Sequence, residues 1–292
     1  MNLTIGEVLQ KTTAYFAAKG IESARLDAEL LLAHVLGLDR VGLYTDYHRP
    51  LTSQEVAAYR EVVARRGRRE PVAYITGHKE FYGLDFTVTP AVLIPRPETE
   101  LLVETVLEYL RDFSATGEED PPQVIEIGVG SGAISVALAV SSPSIRIYAS
   151  EISQDALAVA RENIKKHGLE ERITLVPGSF FSGLPESLLG RVKVVVSNPP
   201  YLTGREVAEG QPEVKHEPRQ ALYGGPDGLA AYRQIISEAS NWLRSGGLLA
   251  LEIGSAQAKD VVSLIGETEA FSAPEIRTDY AGLDRIVLAF LR

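Results

Sequence analysis

The sequence predicts an α/β protein: a mostly parallel β-sheet covered by helices on both faces, preceded by a small helical bundle. Two observations carry that reading. From residue 124 onward, short apolar runs alternate with amphipathic helical stretches. Strands that are apolar along their whole length belong to sheets buried on both faces, and intervening helices supply the crossovers that parallel pairing needs. Over the first seventy-five residues the apolar positions instead recur at helical spacing.

The elements follow in order. "TIGEVLQKTTAYFAAKG" puts Ile5, Val8, Leu9 and Ala14 at helical spacing and stops at a glycine. "SARLDAELLLAHVLG" repeats the pattern with its own glycine stop, and "TSQEVAAYREVVARRG" opens with a capping box from Thr52 to Glu55. These stretches define a helical domain over residues 1–75. The character then changes: "EFYGLDFTVTPAVLI" is rich in aromatic and β-branched residues around a Gly-Leu-Asp break. It reads as a β-hairpin, so residues 76–95 are expected to link the bundle to a second domain over residues 96–292. "PRPETELLVETVLEYLRDF" is a helix begun by Pro97, with acidic residues in its first turn to complement the macrodipole. "SATGEEDPP" reads as a polar surface loop. The strand candidates are then "VIEIG", "IRIYASE", "ITLVPG", "VKVVVSN", "LLALEIG" and "DRIVLAFL", with helices such as "SQDALAVARENIKKHG" and "LAAYRQIISEASNWLRSGG" between them.

Bulk composition narrows the function classes. With 292 residues, 45% hydrophobic and 23% charged, the chain has the make-up of an ordinary soluble protein of two domains. No apolar run approaches the roughly eighteen residues needed to span a bilayer, and the N-terminus lacks a signal-peptide pattern. Zero cysteines fit a reducing cytoplasm, and five singly scattered histidines do not form a metal site. A net charge of −10 opposes stable binding to a nucleic-acid backbone. The basic cluster "ARRGRR" reads as a solvated helix end rather than an RNA-binding patch.

Two constellations carry chemistry. The first is "VIEIGVGSGAISVALA", a strand, a glycine-rich turn and a helix. Gly128, Gly130 and Gly132, with Val129 and Ser131 between them, allow a tight turn and close approach of a ligand to the backbone. The next helix offers unpaired amide donors. Glu151 ends the second strand, where an acidic side chain accepts hydrogen bonds from both ribose hydroxyls of a nucleoside. Phe180, after the third strand, is placed to stack on an adenine face or to pack in the core. The glycine loop also satisfies the dinucleotide pattern, so a nicotinamide cofactor and a purely structural turn stay open at this point.

The second constellation is "SNPPYL" after the fourth strand. Two prolines cannot continue a strand, because neither has an amide hydrogen. They hold Asn198 in extended geometry and leave the loop carbonyls and the Asn198 side-chain oxygen free as acceptors. Tyr201 can lie against a planar group. In open α/β sheets this loop opens at the carboxyl end of the strands, beside the nucleoside site. The result is a cradle for a planar amino nitrogen: fixed acceptors orient its lone pair and stabilise positive charge developing on it. A sulfonium methyl group is a fitting electrophile.

The glycine loop, the acidic end of the second strand and the N-P-P-Y together resemble class I S-adenosylmethionine-dependent methyltransferases that act on planar amino nitrogens. The likeness extends through "FYGLDFTVTPAVLIPRPETELLVE", "HEPRQALYGGPDGLAAYRQII" and "LRSGGLLALEIGSAQ". It covers nearly the whole chain and is similar to the peptide chain release factor glutamine methyltransferases, the HemK/PrmC family. The resemblance implies a Rossmann-like fold with a seven-stranded sheet, and S-adenosyl-L-methionine as methyl donor with S-adenosyl-L-homocysteine as product. The substrate it implies is the glutamine of the Gly-Gly-Gln tip of bacterial class I release factors. It assigns the glutamine amide to Asn198, Pro199, Pro200 and Tyr201, with Asn198, Pro199 and Tyr201 in the catalytic role. It assigns the cofactor to Gly128, Val129, Gly130, Ser131, Gly132, Glu151, Phe180 and Asn198. Where the family usually has aspartate, this chain has Glu126 and Glu151, and Ser179 stands near the family's usual acidic position. A DNA adenine methyltransferase, a non-catalytic S-adenosylmethionine-binding protein and a nicotinamide dehydrogenase are the competing readings. The first would need a basic duplex-binding segment, the second is at odds with an intact Asn198 and Tyr201, and the third gives no account of N-P-P-Y.

Overall fold

The computed structural model describes residues 3–114 and 121–292, so most of the loop expected at "SATGEEDPP" lies outside the described residues. The chain forms two compact units, Met1–His78 and Lys79–Arg292.

The first unit is helical: α1 (Ile5–Ala18), α2 (Ala24–Leu36), α3 (Arg40–Thr45), α4 (Ser53–Gly67) and α5 (Val72–Thr76). The α4 capping box is formed by Thr52 and Glu55 as the spacing requires. A second one, Thr4 with Glu7, starts α1; the Thr4 amide donates to the Glu7 carboxylate at 2.8 Å. Gly37 ends α2 in the left-handed region, at φ 63°. The short helices α3 and α5 add six and five residues, too few to show a period in sequence. Ile5, Leu9, Phe16, Leu31, Leu32 and Leu43 are fully buried between the helices. Burial of such side chains is the main stabilising term, each contributing about 1.5–3 kcal/mol.

The basic cluster corrects the sequence reading. Arg66 is buried, not solvated, and its Nε donates to Asp27 on α2 at 2.7 Å. Arg65 is held by Glu70 at 2.5 Å, and Arg69 donates to the Gly20 carbonyl at 2.9 Å. These arginines fasten the bundle; burial of one charge is sustained because an opposite charge is buried with it.

In the second unit, β1 (His78–Phe81) and β2 (Leu84–Thr87) form a two-stranded hairpin. The turn falls at Tyr82 and Gly83, both at positive φ, as two-residue hairpin loops favour. It is therefore tighter than the Gly-Leu-Asp break suggested. Helix α6 (Glu98–Ser114) follows, and then β3 (Gln123–Ile127), α7 (Ala133–Ser141), β4 (Arg146–Glu151), α8 (Gln154–Lys166), β5 (Ile173–Pro177) and β6 (Val192–Ser197). Short helices α9 (Gly204–Glu209) and α10 (Arg219–Leu222) precede α11 (Ala230–Trp242), β7 (Leu243–Glu252), α12 (Ala258–Glu267), β8 (Glu275–Thr278) and β9 (Asp284–Phe290).

The seven strands run in the order β5-β4-β3-β6-β7-β9-β8. Pairing is parallel from β5 to β7, and β9 runs antiparallel to both its neighbours. Six strands match the sequence candidates. The seventh, β8, was not legible because all four of its residues are exposed at the sheet edge. Separate apolar clusters form on the two faces of the sheet. One includes Leu102, Val106 and Leu138; the other includes Tyr232, Ile236 and Trp242.

Strand order reverses between β3 and β6, which makes their carboxyl ends the crevice of the fold. Register then aligns the strand ends: Ile127 pairs with both Ser150 and Ser197, and Ser197 pairs with Leu251. The residues that follow, Gly128, Glu151, Asn198 and Glu252, therefore leave the sheet side by side.

Candidate active site

A cavity of about 560 Å³ opens at these strand ends, within the range of small-molecule sites. Gly128, Val129, Gly130, Ser131, Glu151, Phe180, Asn198, Pro199 and Pro200 all line it. Two sequence-assigned residues do not. Gly132, outside the lining, is the N-cap of α7 in the left-handed region at φ 84°. Tyr201 lies outside the lining; its ring is packed against the apolar cluster under α11.

The glycine turn fits a nucleoside. Gly128 and Gly130 have φ of 76° and 53°, and a Cβ at either would meet no atom within 4 Å. That open volume is the space a ligand needs to reach the backbone. The Glu151 carboxylate accepts from the Gly130 amide at 3.1 Å and the Ser153 amide at 2.9 Å. It thereby holds the turn and retains lone pairs that could accept from ribose hydroxyls. Asn163, fully buried on α8, donates to the Ser131 carbonyl at 2.8 Å and also pairs with the backbone of Thr87. The turn is thus anchored from behind by a residue that sequence reading missed.

After β5, the Gly178 amide donates to the Glu151 carbonyl at 3.0 Å, and a Cβ at Gly178 would fall 2.2 Å from the Ser182 carbonyl oxygen. In the same turn Phe180 stands at φ 51°, a conformation non-glycine residues rarely adopt. Phe180 lines the cavity and packs on the core beside it, so the two sequence readings of this ring describe one position.

Glu126 lines the same cavity from β3, is buried, and accepts a hydrogen bond from the Ser135 hydroxyl. Burial pushes its carboxyl up to about 8. Because that folded value exceeds the unfolded one, the native state holds a proton the unfolded state releases. Stability therefore falls as pH rises from about 4.5 to 8 and levels off above that. Between pH 5.5 and pH 8, the parent is expected to lose at least about 4 °C more in Tm than Glu126→Gln does, at about 2–4 °C per kcal/mol for a domain of this size. Parallel melting curves for the two proteins would contradict the assignment.

The N-P-P-Y loop is held through its backbone and through the Asn198 side chain. The Leu202 amide donates to the Leu222 carbonyl, and the Gly224 amide to the Leu202 carbonyl, both at 2.9 Å. Gln257 Nε2 donates to the Tyr201 carbonyl at 3.0 Å, while its oxygen accepts from the Gly254 amide at 3.0 Å. Asn198 Nδ2 donates to Thr99 Oγ1 at 3.2 Å. Among the described residues the Pro199 carbonyl accepts no hydrogen bond. At the loop's flank, Arg96 pairs with the buried Glu217, whose other oxygen accepts from the Ile94 amide at 3.2 Å. Burial, with the nearby Glu252 carboxyl second, pushes the Tyr201 hydroxyl up to about 12.

Gly224 is where this loop tolerates no side chain. A Cβ there would sit 2.4 Å from the Pro200 carbonyl oxygen and 2.8 Å from Tyr201 Cα, both backbone atoms. Gly224→Ala is expected to cost about 1–3 kcal/mol of stability, as overpacking does, and to lower turnover at least about tenfold by displacing the loop. Thermal melts and initial rates check it; parent-like values in both would refute the close approach.

Thr99, Asn163, Gln257 and Gly224 carry no functional signature of their own in the sequence. The one usable signal was a charge inside an apolar run, "VIEIG" for Glu126 and "LLALEIG" for Glu252.

Comparison with known proteins agrees with this architecture. The family described as the PrmC N-terminal domain matches residues 7–77, and the methyltransferase small domain matches residues 99–216. A release factor glutamine methyltransferase of Geobacter sulfurreducens is 46% identical, over 97% of this chain and 95% of that protein. One of Moorella thermoacetica is 42% identical over 99% of each. Among solved structures, a methyltransferase from Pyrococcus furiosus aligns with a TM-score of 0.52 at 21% identity, covering 78% of this chain and 98% of that one, which supports the fold. At such identity over nearly the full length, this chain belongs to the release factor glutamine methyltransferase family.

Proposed function

We propose that this enzyme transfers a methyl group from S-adenosyl-L-methionine to the side-chain amide nitrogen of the glutamine in the Gly-Gly-Gln tip of bacterial class I release factors, in the cytoplasm. One observation carries the reading: strand register brings the glycine turn, Glu151 and the Asn198-Pro199 acceptors to a single cavity. The names of the relatives support the substrate.

The bound cofactor supplies an electrophilic methyl carbon on a positively charged sulfur. Glu151 and the glycine-turn backbone hold its nucleoside end. The Asn198 side-chain oxygen and the Pro199 carbonyl accept the two hydrogens of the glutamine amide. Held so, the amide nitrogen would be oriented for methyl transfer, positive charge gathering on it would meet fixed dipoles, and one of its two hydrogens would leave as a proton as the carbon–nitrogen bond replaces the carbon–sulfur bond. The prolines keep those acceptors in place and add no competing donors.

The cofactor half is tested on Glu151. Glu151→Ala is expected to weaken S-adenosylmethionine binding by about 1.5–3 kcal/mol, or roughly 10- to 150-fold, the usual worth of hydrogen bonds to a charged acceptor. Saturating cofactor should restore much of the rate, because that contact is equally present in ground and transition states. Unchanged affinity by calorimetry would place the ribose contact elsewhere.

A further inference from the structure

Glu252 ends β7, and because Ser197 pairs with Leu251 it stands beside Asn198 at the next position. It is 3% exposed, and its Oε2 has no hydrogen-bond partner among the described residues. Its backbone carbonyl accepts from the Tyr232 hydroxyl at 2.9 Å, which fixes the main chain and leaves the carboxyl as the mobile polar group. Strand register places Asn198 beside that carboxyl, and Thr99 and Asn198 both act to lower its pKa. A carboxyl group in such a position costs desolvation energy and contributes nothing to packing that a leucine would not.

Thr99 supplies the connection. It is 5% exposed, and its Oγ1 already accepts from Asn198 Nδ2 at 3.2 Å. A hydroxyl has one hydrogen to donate, and with Asn198 donating to it that hydrogen is available for Glu252. An ionised carboxylate can only accept, so a relay through Thr99 has one possible direction: Asn198 to Thr99 to Glu252. The Asn198 oxygen is then left on the cavity side, and a flipped amide, which would present donors to a substrate amide that itself donates, is disfavoured.

We infer that Glu252 is a positioning residue for methyl transfer, acting through Thr99 to fix which end of the Asn198 amide faces the substrate. The inference rests on the proposed amide-methylating function and assigns Glu252 no contact with substrate or cofactor. It carries a pH signature. Protonated Glu252 can donate to Thr99, whose hydrogen can then turn toward Asn198, and the flipped amide becomes allowed. The groups facing the carboxyl are Glu98 and Thr99 from α6, Asn198 and Tyr201 from the loop after β6, Tyr232 from α11 and Arg285 from β9. Burial first, then Glu98, raises the Glu252 carboxyl to about 7 against the opposing Thr99, Arg285 and Asn198. Orientation is therefore secure above neutral pH and lost below it.

The test uses the full-length enzyme, a release-factor substrate, and the isosteric variants Glu252→Gln and Thr99→Val. In the parent, kcat should rise with pH through about 7. In Glu252→Gln, kcat at pH 8 should fall about 10- to 100-fold and lose that acid limb, while cofactor Kd by calorimetry stays within about twofold. The double variant should be no slower than the worse single one, as expected for residues acting as one unit. A second readout needs no turnover: the Asn198 side-chain amide signal, assigned by its loss in Asn198→Ala, should titrate near pH 7 in the parent and not in Glu252→Gln. If Glu252→Gln does not fold, the same rate loss and amide signal are read on Thr99→Val. A parent whose amide signal does not titrate, or variants with parent kcat and acid limb, overturns the inference. A parent that titrates as expected yet leaves the release factor unmethylated counts against the proposed substrate instead.

Discussion

Asn198→Ala is expected to lower kcat toward release factor by about two to three orders of magnitude, the cost of removing one preorganised polar group from a developing charge. Cofactor affinity should change far less, because the glycine turn and the Glu151 carboxylate are untouched. The size of the effect follows from the geometry. Asn198 leaves β6 between the ends of β3 and β7, is locked on one side by Thr99, and is followed by two prolines that add no backbone donor. On the proposed mechanism its loss would leave two amide hydrogens to share the Pro199 carbonyl. Single-turnover rates at saturating cofactor, with cofactor Kd from calorimetry, separate the two quantities. A variant with near-parent turnover would remove Asn198 from the chemistry.

The second large effect concerns the helical unit. We propose that it selects the protein substrate and takes no part in the reaction. A glutamine at a flexible tip offers the cavity little area, so a specific release factor must gain affinity outside it. The first unit carries exposed apolar side chains that can supply such contacts, Leu26 and Leu30 on α2 with Val41 and Tyr44 on α3. Singly such residues are ordinary; four on two helices packed together form a candidate contact surface. A protein beginning at Lys79 is expected to retain S-adenosylmethionine binding, while its kcat/KM for intact release factor falls at least about 100-fold, equivalent to about 2.7 kcal/mol of lost docking energy. Its activity on a short Gly-Gly-Gln peptide should change little. Equal efficiency of parent and truncated protein on the full release factor would show that selection lies elsewhere.

The legible parts of this molecule were those with local causes. Continuous apolar runs gave six strands, Pro97 and its acidic neighbours gave α6, and Thr52 with Glu55 gave a capped helix start. The glycine turn and N-P-P-Y were readable because each restricts the backbone whatever surrounds it. Four kinds of feature were not readable. The exposed edge strand β8 has no apolar pattern to betray it. Arg66 looked like a solvated charge, because its partner Asp27 is distant in sequence and belongs to another helix. Tyr201 follows the two prolines directly, yet its ring packs on the apolar cluster rather than lining the cavity, and Gln257 Nε2 donates to its carbonyl. Thr99, Gln257 and Glu252 act only through register and long-range contact, which no single stretch of sequence contains.

The central claim is that the acceptors after β6 hold a glutamine amide of a release factor. The most direct measurement incubates the enzyme with methyl-labelled S-adenosylmethionine and an unmethylated class I release factor, in parallel with the same factor carrying Gln→Ala in its Gly-Gly-Gln tip. The prediction is one methyl group per release factor, located by peptide mass spectrometry on the glutamine side-chain amide and absent from the alanine variant. Equal labelling of both factors, or transfer to nucleic acid in place of the factor, would contradict it.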